Sequence, residues 1–355
     1  MAPSGGRLVG VDLARALALA GMVVAHVGAV PQTVAWSDPS TWSAVVNGRS
    51  SALFALLAGV SVALVTGRTR PFAPTAMAAA RIRLVVRAVL LVALGVLLVA
   101  LGTSVAVILP TYGALFLLVV PVLRCPRSVL LSFAAGAVTL SVPVALATAA
   151  LFAHADAATA QFGRTYPVLT FLEFLLVGLA VGRSDLPARR TQVLLVVTGT
   201  ALAVAAYTVG AVVAPVDPAV AVVTGVPSAG GATGPSAVVQ EWLSPRAHSS
   251  SVVDVLGSTG VAVAVLGACL LLTERRARLA RIVWPAVAVG SMPLSVYALH
   301  IVAIAVLAHT LGPTEGPAVA ASFLLGAVLV AVLWRHRFRR GPLEMLLAAA
   351  TAGPR

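Results

Sequence analysis

Arg15 and His26 lie eleven positions apart in the apolar segment RLVGVDLARALALAGMVVAHVGAV. On a helix that interval is close to three turns, so the two side chains share a face and stand roughly 16 Å apart along the axis. Asp12 precedes Arg15 by three residues, the spacing at which a carboxylate and a guanidinium pair on a helix surface, and Asp12, Arg15, Leu19, Met22 and His26 trace one stripe. A guanidinium holds phosphate or carboxylate through a fork of N–H donors. An imidazole accepts a proton or acts as a nucleophile. One helix thus presents an anion grip at one end and a base at the other, and the stripe that carries them is expected to face the protein interior. The plainer alternatives are a membrane-edge ion pair for Asp12 and Arg15, snorkelling to the interface, and for His26 an interfacial histidine bonded to a carbonyl.

Other ionisable residues stand where an apolar run makes charge costly. Glu173 reads either as an interhelical hydrogen bond or as a group that orients His26 or His300. His300, behind Tyr297, is a satisfied buried histidine or a second polar group in a cavity, and Arg49 is an interfacial anchor or a stabiliser of developing negative charge. Asp254, after the run Ser249, Ser250 and Ser251, is expected to cap a helix. His154 and His248 fall in outer loops, where solvation is the default and substrate contact the alternative.

The elements that must position these groups are membrane helices. Hydrophobic residues make up 60% of the chain, charged residues 10%, and the mean hydropathy is +1.03. Stretches of about 20 apolar residues, enough to cross a bilayer, recur along the sequence. The expected fold is all-α and polytopic, one transmembrane domain over residues 1–355, with ten candidate spans at 8–30, 45–66, 83–102, 104–123, 129–152, 166–183, 191–214, 251–273, 285–310 and 317–334. The third and fourth are divided at Gly102 to Ser104. An even number of spans puts both termini on one side.

The 24 basic residues are all arginine, and with a cytoplasmic N-terminus every one except Arg15, Arg49, Arg164 and Arg246 falls at a cytoplasmic end. That asymmetry predicts cytoplasmic termini and a multi-pass protein of the plasma membrane. The net charge of +13 reads as topology and attraction to anionic lipid rather than nucleic-acid binding. The first apolar run is too long and too charged for a signal sequence, and Cys125 and Cys269 imply no disulfide framework. Residues 215–250, rich in Gly, Pro and Ser, form an outer loop that is either a lid over a cavity or a flexible connection. The stretch 335–355 reads as a basic amphipathic tail on the inner leaflet. There is no metal cluster, P-loop or dinucleotide fingerprint.

Arg15, ten residues and His26, preceded by Asp12, resemble the first-helix signature of the transmembrane acyltransferase superfamily. GRSSALFALLAGVSVAL from Gly48 is similar to the second helix of its YeiB-like and heparan-α-glucosaminide N-acetyltransferase-like branch. HSSSVVDVLGSTGVAVAVLGACLLL from His248, GSMPLSVYALH ending at His300 and RRGPLEMLL from Arg339 resemble the C-terminal half of the YeiB-like proteins. The resemblance implies transfer of an acyl group, acetyl in this branch, from cytoplasmic acyl-CoA to a sugar or other envelope acceptor on the far face. In the heparan-acetyltransferase branch a histidine proposed to react lies in the first outer loop; PQTVAWSDPSTW contains none, so the role falls to His26.

On that resemblance His26, Arg49 and Glu173 are the candidate catalytic groups. Asp12 and Arg15, with Arg81, Arg83 and Arg87, would hold the phosphates of acetyl-CoA or another acyl-CoA, the pantetheine arm running along the first helix toward His26. One continuous cavity from Arg15 to His26 is expected. His300, Tyr297 and Trp42 are the candidate acceptor contacts. The partners implied are lipid, acyl-CoA and a glycan or other outer acceptor, with a homodimer possible. A transporter or exporter using the same buried charges without acyl transfer is the alternative, and a non-catalytic scaffold a third.

Overall fold

A computed structural model describes residues 8–35, 37–151, 165–213, 242–273 and 277–351. His154, Arg164 and most of the 215–250 loop lie outside the described residues. Among the described residues the fold is all-α, with thirteen α-helices. They are α1 (Val9–Val27), α2 (Arg49–Val65), α3 (Pro74–Val99), α4 (Leu109–Val119), α5 (Arg127–Leu151), α6 (Val168–Gly182), α7 (Arg189–Val213), α8 (Val252–Thr273), α9 (Ala277–Ile282), α10 (Trp284–Gly290), α11 (Pro293–Leu311), α12 (Pro317–Arg337) and α13 (Pro342–Ala350). A 3₁₀ segment, Pro39–Val46, precedes α2.

Among the described residues eight helices are long and apolar enough to cross a membrane, and the chain is a multi-pass membrane protein. Two of the ten expected spans are realised as shorter apolar helices, Leu109–Val122 and Val168–Gly182. Fifteen residues in α6 rise only about 22 Å. The expected division of the third and fourth spans holds, because Gly102 adopts φ 68°, a left-handed conformation that glycine takes without strain and that turns the chain between α3 and α4. The ninth expected span, 285–310, is instead broken into α10 and α11 at Ser291 and Met292. Pro293 accounts for the break: it starts α11 well because it needs no intrahelical donor, and for the same reason it cannot continue α10.

α1 is the axis of the bundle, packing against α2, α8, α10 and α12, while α2 lies on α6 and α7 on α8. In a bilayer, close approach of small residues replaces the hydrophobic effect as the source of helix association. A Cβ on Gly178 would collide with the backbone of Leu56, and one on Gly59 with that of Leu175, so α2 and α6 touch main chain to main chain. Gly199 and Gly260 face each other in the same way between α7 and α8, and Gly290 of α10 lies against Asp12 and Ala16 of α1. The outer flanks are apolar and exposed, as lipid contact requires; Leu325, Leu329 and Leu333 mark the free face of α12.

Arg183, at the end of α6, is buried among carbonyls. It donates to the main-chain oxygens of Thr66, Arg68 and Leu123 and to the Thr66 hydroxyl, fastening the ends of α2, of the turn after α4 and of α6. A cation among helix C-termini is favoured by the carbonyl dipoles that converge there.

Candidate functional site

The stripe on α1 faces the interior, with Asp12, Leu19 and Met22 buried and Arg15 and His26 partly so. Arg15 donates to Asp12 Oδ1 at 2.7 Å and to the Ser61 hydroxyl of α2 at 2.7 Å. The Asp12 carboxylate is thereby fixed, and part of the guanidinium remains open to a cavity.

That cavity has a volume of about 320 Å³, within the range of small-molecule sites. Arg15, Arg87 and Glu344 stand on its wall with Ser61, and Leu91, Leu109 and Phe116 give it an apolar lining toward Tyr112 and Tyr297. Arg87 of α3 lies within electrostatic reach of Arg15 and of Glu344. Two guanidinium groups on one largely apolar cavity suit a ligand with an anionic head and an extended neutral arm. Of the three α3 arginines expected here, Arg87 reaches the cavity. Arg83 is exposed on another face, and Arg81 does not line it.

His26 hydrogen-bonds His300 of α11, Nδ1 to Nε2 at 3.1 Å, with the rings stacked 9° from parallel. Tyr297, one turn earlier on α11, sets its ring edge-on to His300 at 5.1 Å, and its hydroxyl accepts from the Ile108 N–H at 3.1 Å. Tyr297 therefore has one side on the cavity and the other on the imidazole pair. The expected single cavity from Arg15 to His26 is not what is found, since His26 is not among the residues lining this one. Between the two groups α1 presents Leu19 and Met22, which belong to the same buried cluster as Tyr297.

The other expected site residues go elsewhere. Arg49 opens α2 and donates to the Tyr207 hydroxyl at 3.1 Å and to the Asn47 carbonyl, its guanidinium over the Tyr207 ring. Glu173 accepts from the Thr259 hydroxyl of α8 at both oxygens, 3.0 and 2.9 Å, which is an interhelical tie rather than a contact to either histidine. Trp42 is half exposed on the 3₁₀ segment and does not line the cavity. Ser251, not Asp254, caps α8: its hydroxyl accepts from the Asp254 N–H at 2.9 Å, which puts Asp254 three residues inside the cap. His248 is exposed in the loop before α8, edge-on to Tyr166 and within electrostatic reach of His26. Among the described residues there is no group of three or more His, Cys, Asp or Glu that would hold a metal.

Sequence reading missed Ser61, Tyr112 and Glu344 as parts of the cavity. For Glu344 a signal existed, a lone acid in the apolar stretch PLEMLLAAA within RRGPLEMLL. Its carboxylate accepts from the N–H groups of Leu294 and Ser295 and from the Ser295 hydroxyl, while Leu343 N–H donates to that same hydroxyl. α13 is thus pinned across the start of α11 with Leu347 on the cavity wall. The expected basic amphipathic tail is corrected accordingly: the arginines at 335–340 precede α13, and the helix itself carries one acid and no base.

These features define a multi-pass helical membrane protein with an arginine-lined cavity that ends beside an imidazole pair. The sequence model for the heparan-alpha-glucosaminide N-acetyltransferase catalytic family matches residues 7–212, more than half of the chain, and the chain belongs to that family. A second model, described as a protein of unknown function (DUF418), matches residues 216–354. No curated protein matches the chain.

Proposed function

We propose that this protein is a plasma-membrane acetyltransferase, with both termini cytoplasmic and about ten spans, that passes an acetyl group from cytoplasmic acetyl-CoA to an amine or hydroxyl of a sugar or other envelope acceptor on the far face. The observation that carries the reading is the cavity itself, which joins two guanidinium groups to an apolar passage ending at Tyr297, against the His26 and His300 pair. Membership of the acetyltransferase family supports the same chemistry.

In this reading Arg15 and Arg87 bind phosphate oxygens at the mouth, and Asp12 and Ser61 hold Arg15 in place. The lining residues Leu91, Leu109 and Phe116 exclude water from the pantetheine arm. His26 accepts the proton of the acceptor N–H or O–H as that heteroatom bonds to the thioester carbonyl carbon, then returns it to the departing thiolate as the C–S bond breaks. His300 holds His26 through the 3.1 Å bond. Transfer requires the packing around Tyr297 to open, because Tyr297 lines the cavity and His26 does not. The break before Pro293 gives α11 a place to hinge.

The test is reconstitution in liposomes with labelled acetyl-CoA on one side and an amino-sugar acceptor on the other. Wild type is expected to bind acetyl-CoA with affinity that falls as salt rises. Arg15→Ala should weaken binding about tenfold, or 1.4 kcal/mol, and flatten the salt dependence. His26→Ala should keep binding and lose transfer. Absence of acetyl-CoA binding to wild type would contradict the proposal and favour a transporter.

A further inference from the structure

Tyr112 lies in the first turn of α4, in the sequence LPTYGALF. Gly113 beside it lets the main chain of α4 lie against Ala88 and Val92 of α3. Its ring is held edge-on by Phe54 at 5.6 Å and Phe116 at 6.4 Å. The side chain is 3% exposed, and it lines the large cavity. Its hydroxyl has no hydrogen-bond partner among the described residues.

Several of its polar neighbours on the cavity wall are engaged. Arg15 is tied to Asp12 and Ser61, Glu344 to the start of α11, the Ser291 hydroxyl to the Ala288 carbonyl, and the Tyr297 hydroxyl receives the Ile108 N–H. A buried hydroxyl left without a partner is costly, and native proteins rarely keep one that serves nothing. The Tyr112 ring lines a ligand-sized space while its hydroxyl oxygen is sealed from it, so a ligand that opens the packing beside Tyr297 uncovers a donor without a partner among the described residues.

We propose that Tyr112 donates a hydrogen bond to the thioester carbonyl oxygen of the acyl donor, and that it strengthens this bond as the oxygen gains negative charge during transfer. The assignment rests on the acetyltransferase reading. A pantetheine arm that enters from Arg15 and Arg87 and passes Leu91, Leu109 and Phe116 brings its acyl end toward Tyr112 and Tyr297. An O–H brought to face a developing oxyanion in such a site is worth more than in water. Bond making and breaking stay as described above: the acceptor heteroatom bonds to the carbonyl carbon, the thiolate leaves, the proton passes by way of His26, and Tyr112 keeps its own proton.

The deciding variant is Tyr112→Phe in the full-length protein in nanodiscs. Because the hydroxyl bonds to nothing among the described residues, ligand-free melting should be unchanged or higher. Affinity for acetyl-CoA should fall about tenfold, affinity for free CoA should stay the same, and kcat should drop about 10²-fold. On wild type alone, the infrared stretch of ¹³C-labelled thioester carbonyl should move to lower frequency on binding. An unmoved stretch, a lowered ligand-free melting point with acetyl-CoA binding and turnover intact, or an equal loss for CoA and acetyl-CoA would each overturn the assignment. If wild type binds and the variant matches it, this assignment alone falls; if wild type does not bind acetyl-CoA, the parent reading falls as well.

Discussion

Arg15 is held by one charged and one neutral acceptor, so its position is determined before any ligand arrives. Replacing it by Met would leave the buried Asp12 carboxylate without its guanidinium. Hydrogen bonds to charged groups contribute about 1.5–3 kcal/mol, and Arg15→Met should lower stability by that order in detergent denaturation. Adding Asp12→Asn to that variant should recover part of the loss, since the penalty lies in an uncompensated charge; no recovery would mean that the pair does not act as a unit. The Asp12 and Arg15 contact was legible from spacing on a single helix. The His26 and His300 bond was not, because its partners are 274 residues apart on different helices and no local rule links them. Tyr112 gave no signal at all, since a tyrosine in an apolar helix reads as core until its hydroxyl is seen to lack a partner among the described residues.

At the scale of elements, the informative region is the junction of α10, α11 and α13. A continuous apolar run hid the break before Pro293, although proline is the ordinary punctuation of such runs. The RRGPLEMLL motif was visible in the sequence and its purpose was not, because Glu344 works by reaching the N–H groups of Leu294 and Ser295, fifty residues earlier in the chain. A carboxylate at a helix start is favoured both by the unpaired donors and by the dipole. Glu344→Ala should therefore free α13, seen as faster hydrogen exchange over residues 342–350 with the rest of the bundle unaffected. Unchanged exchange would show that apolar contacts such as Leu347 suffice to hold it. Gly178→Val should be far more damaging, since its new side chain would force α2 and α6 apart where their main chains touch.

Across the whole molecule, composition and hydropathy were enough to establish an all-α membrane protein and to place nearly every helix. They overstated the uniformity of the spans: α4 and α6 are short, and α6 is buried along most of its length, where neighbouring helices rather than lipid cover it. Length rules derived from the bilayer bind least tightly there. The basic residues remain the guide to orientation, and cysteine or tag labelling in intact cells is expected to find both termini cytoplasmic; a terminus labelled from outside would reverse the direction of transfer proposed above.

The cavity between Arg15 and Tyr297 is the feature on which the enzymology depends, and filling it is the most direct trial. Ala58 of α2 lines that space, and Ala58→Trp would place an indole across the path of a pantetheine arm while leaving Arg15, His26 and His300 intact. Equilibrium binding of acetyl-CoA to both proteins in nanodiscs should show saturable binding to wild type and at least a tenfold loss, about 1.4 kcal/mol, in a variant that retains its melting temperature. A folded Ala58→Trp protein that binds acetyl-CoA as tightly as wild type would contradict the claim that this cavity receives the acyl donor.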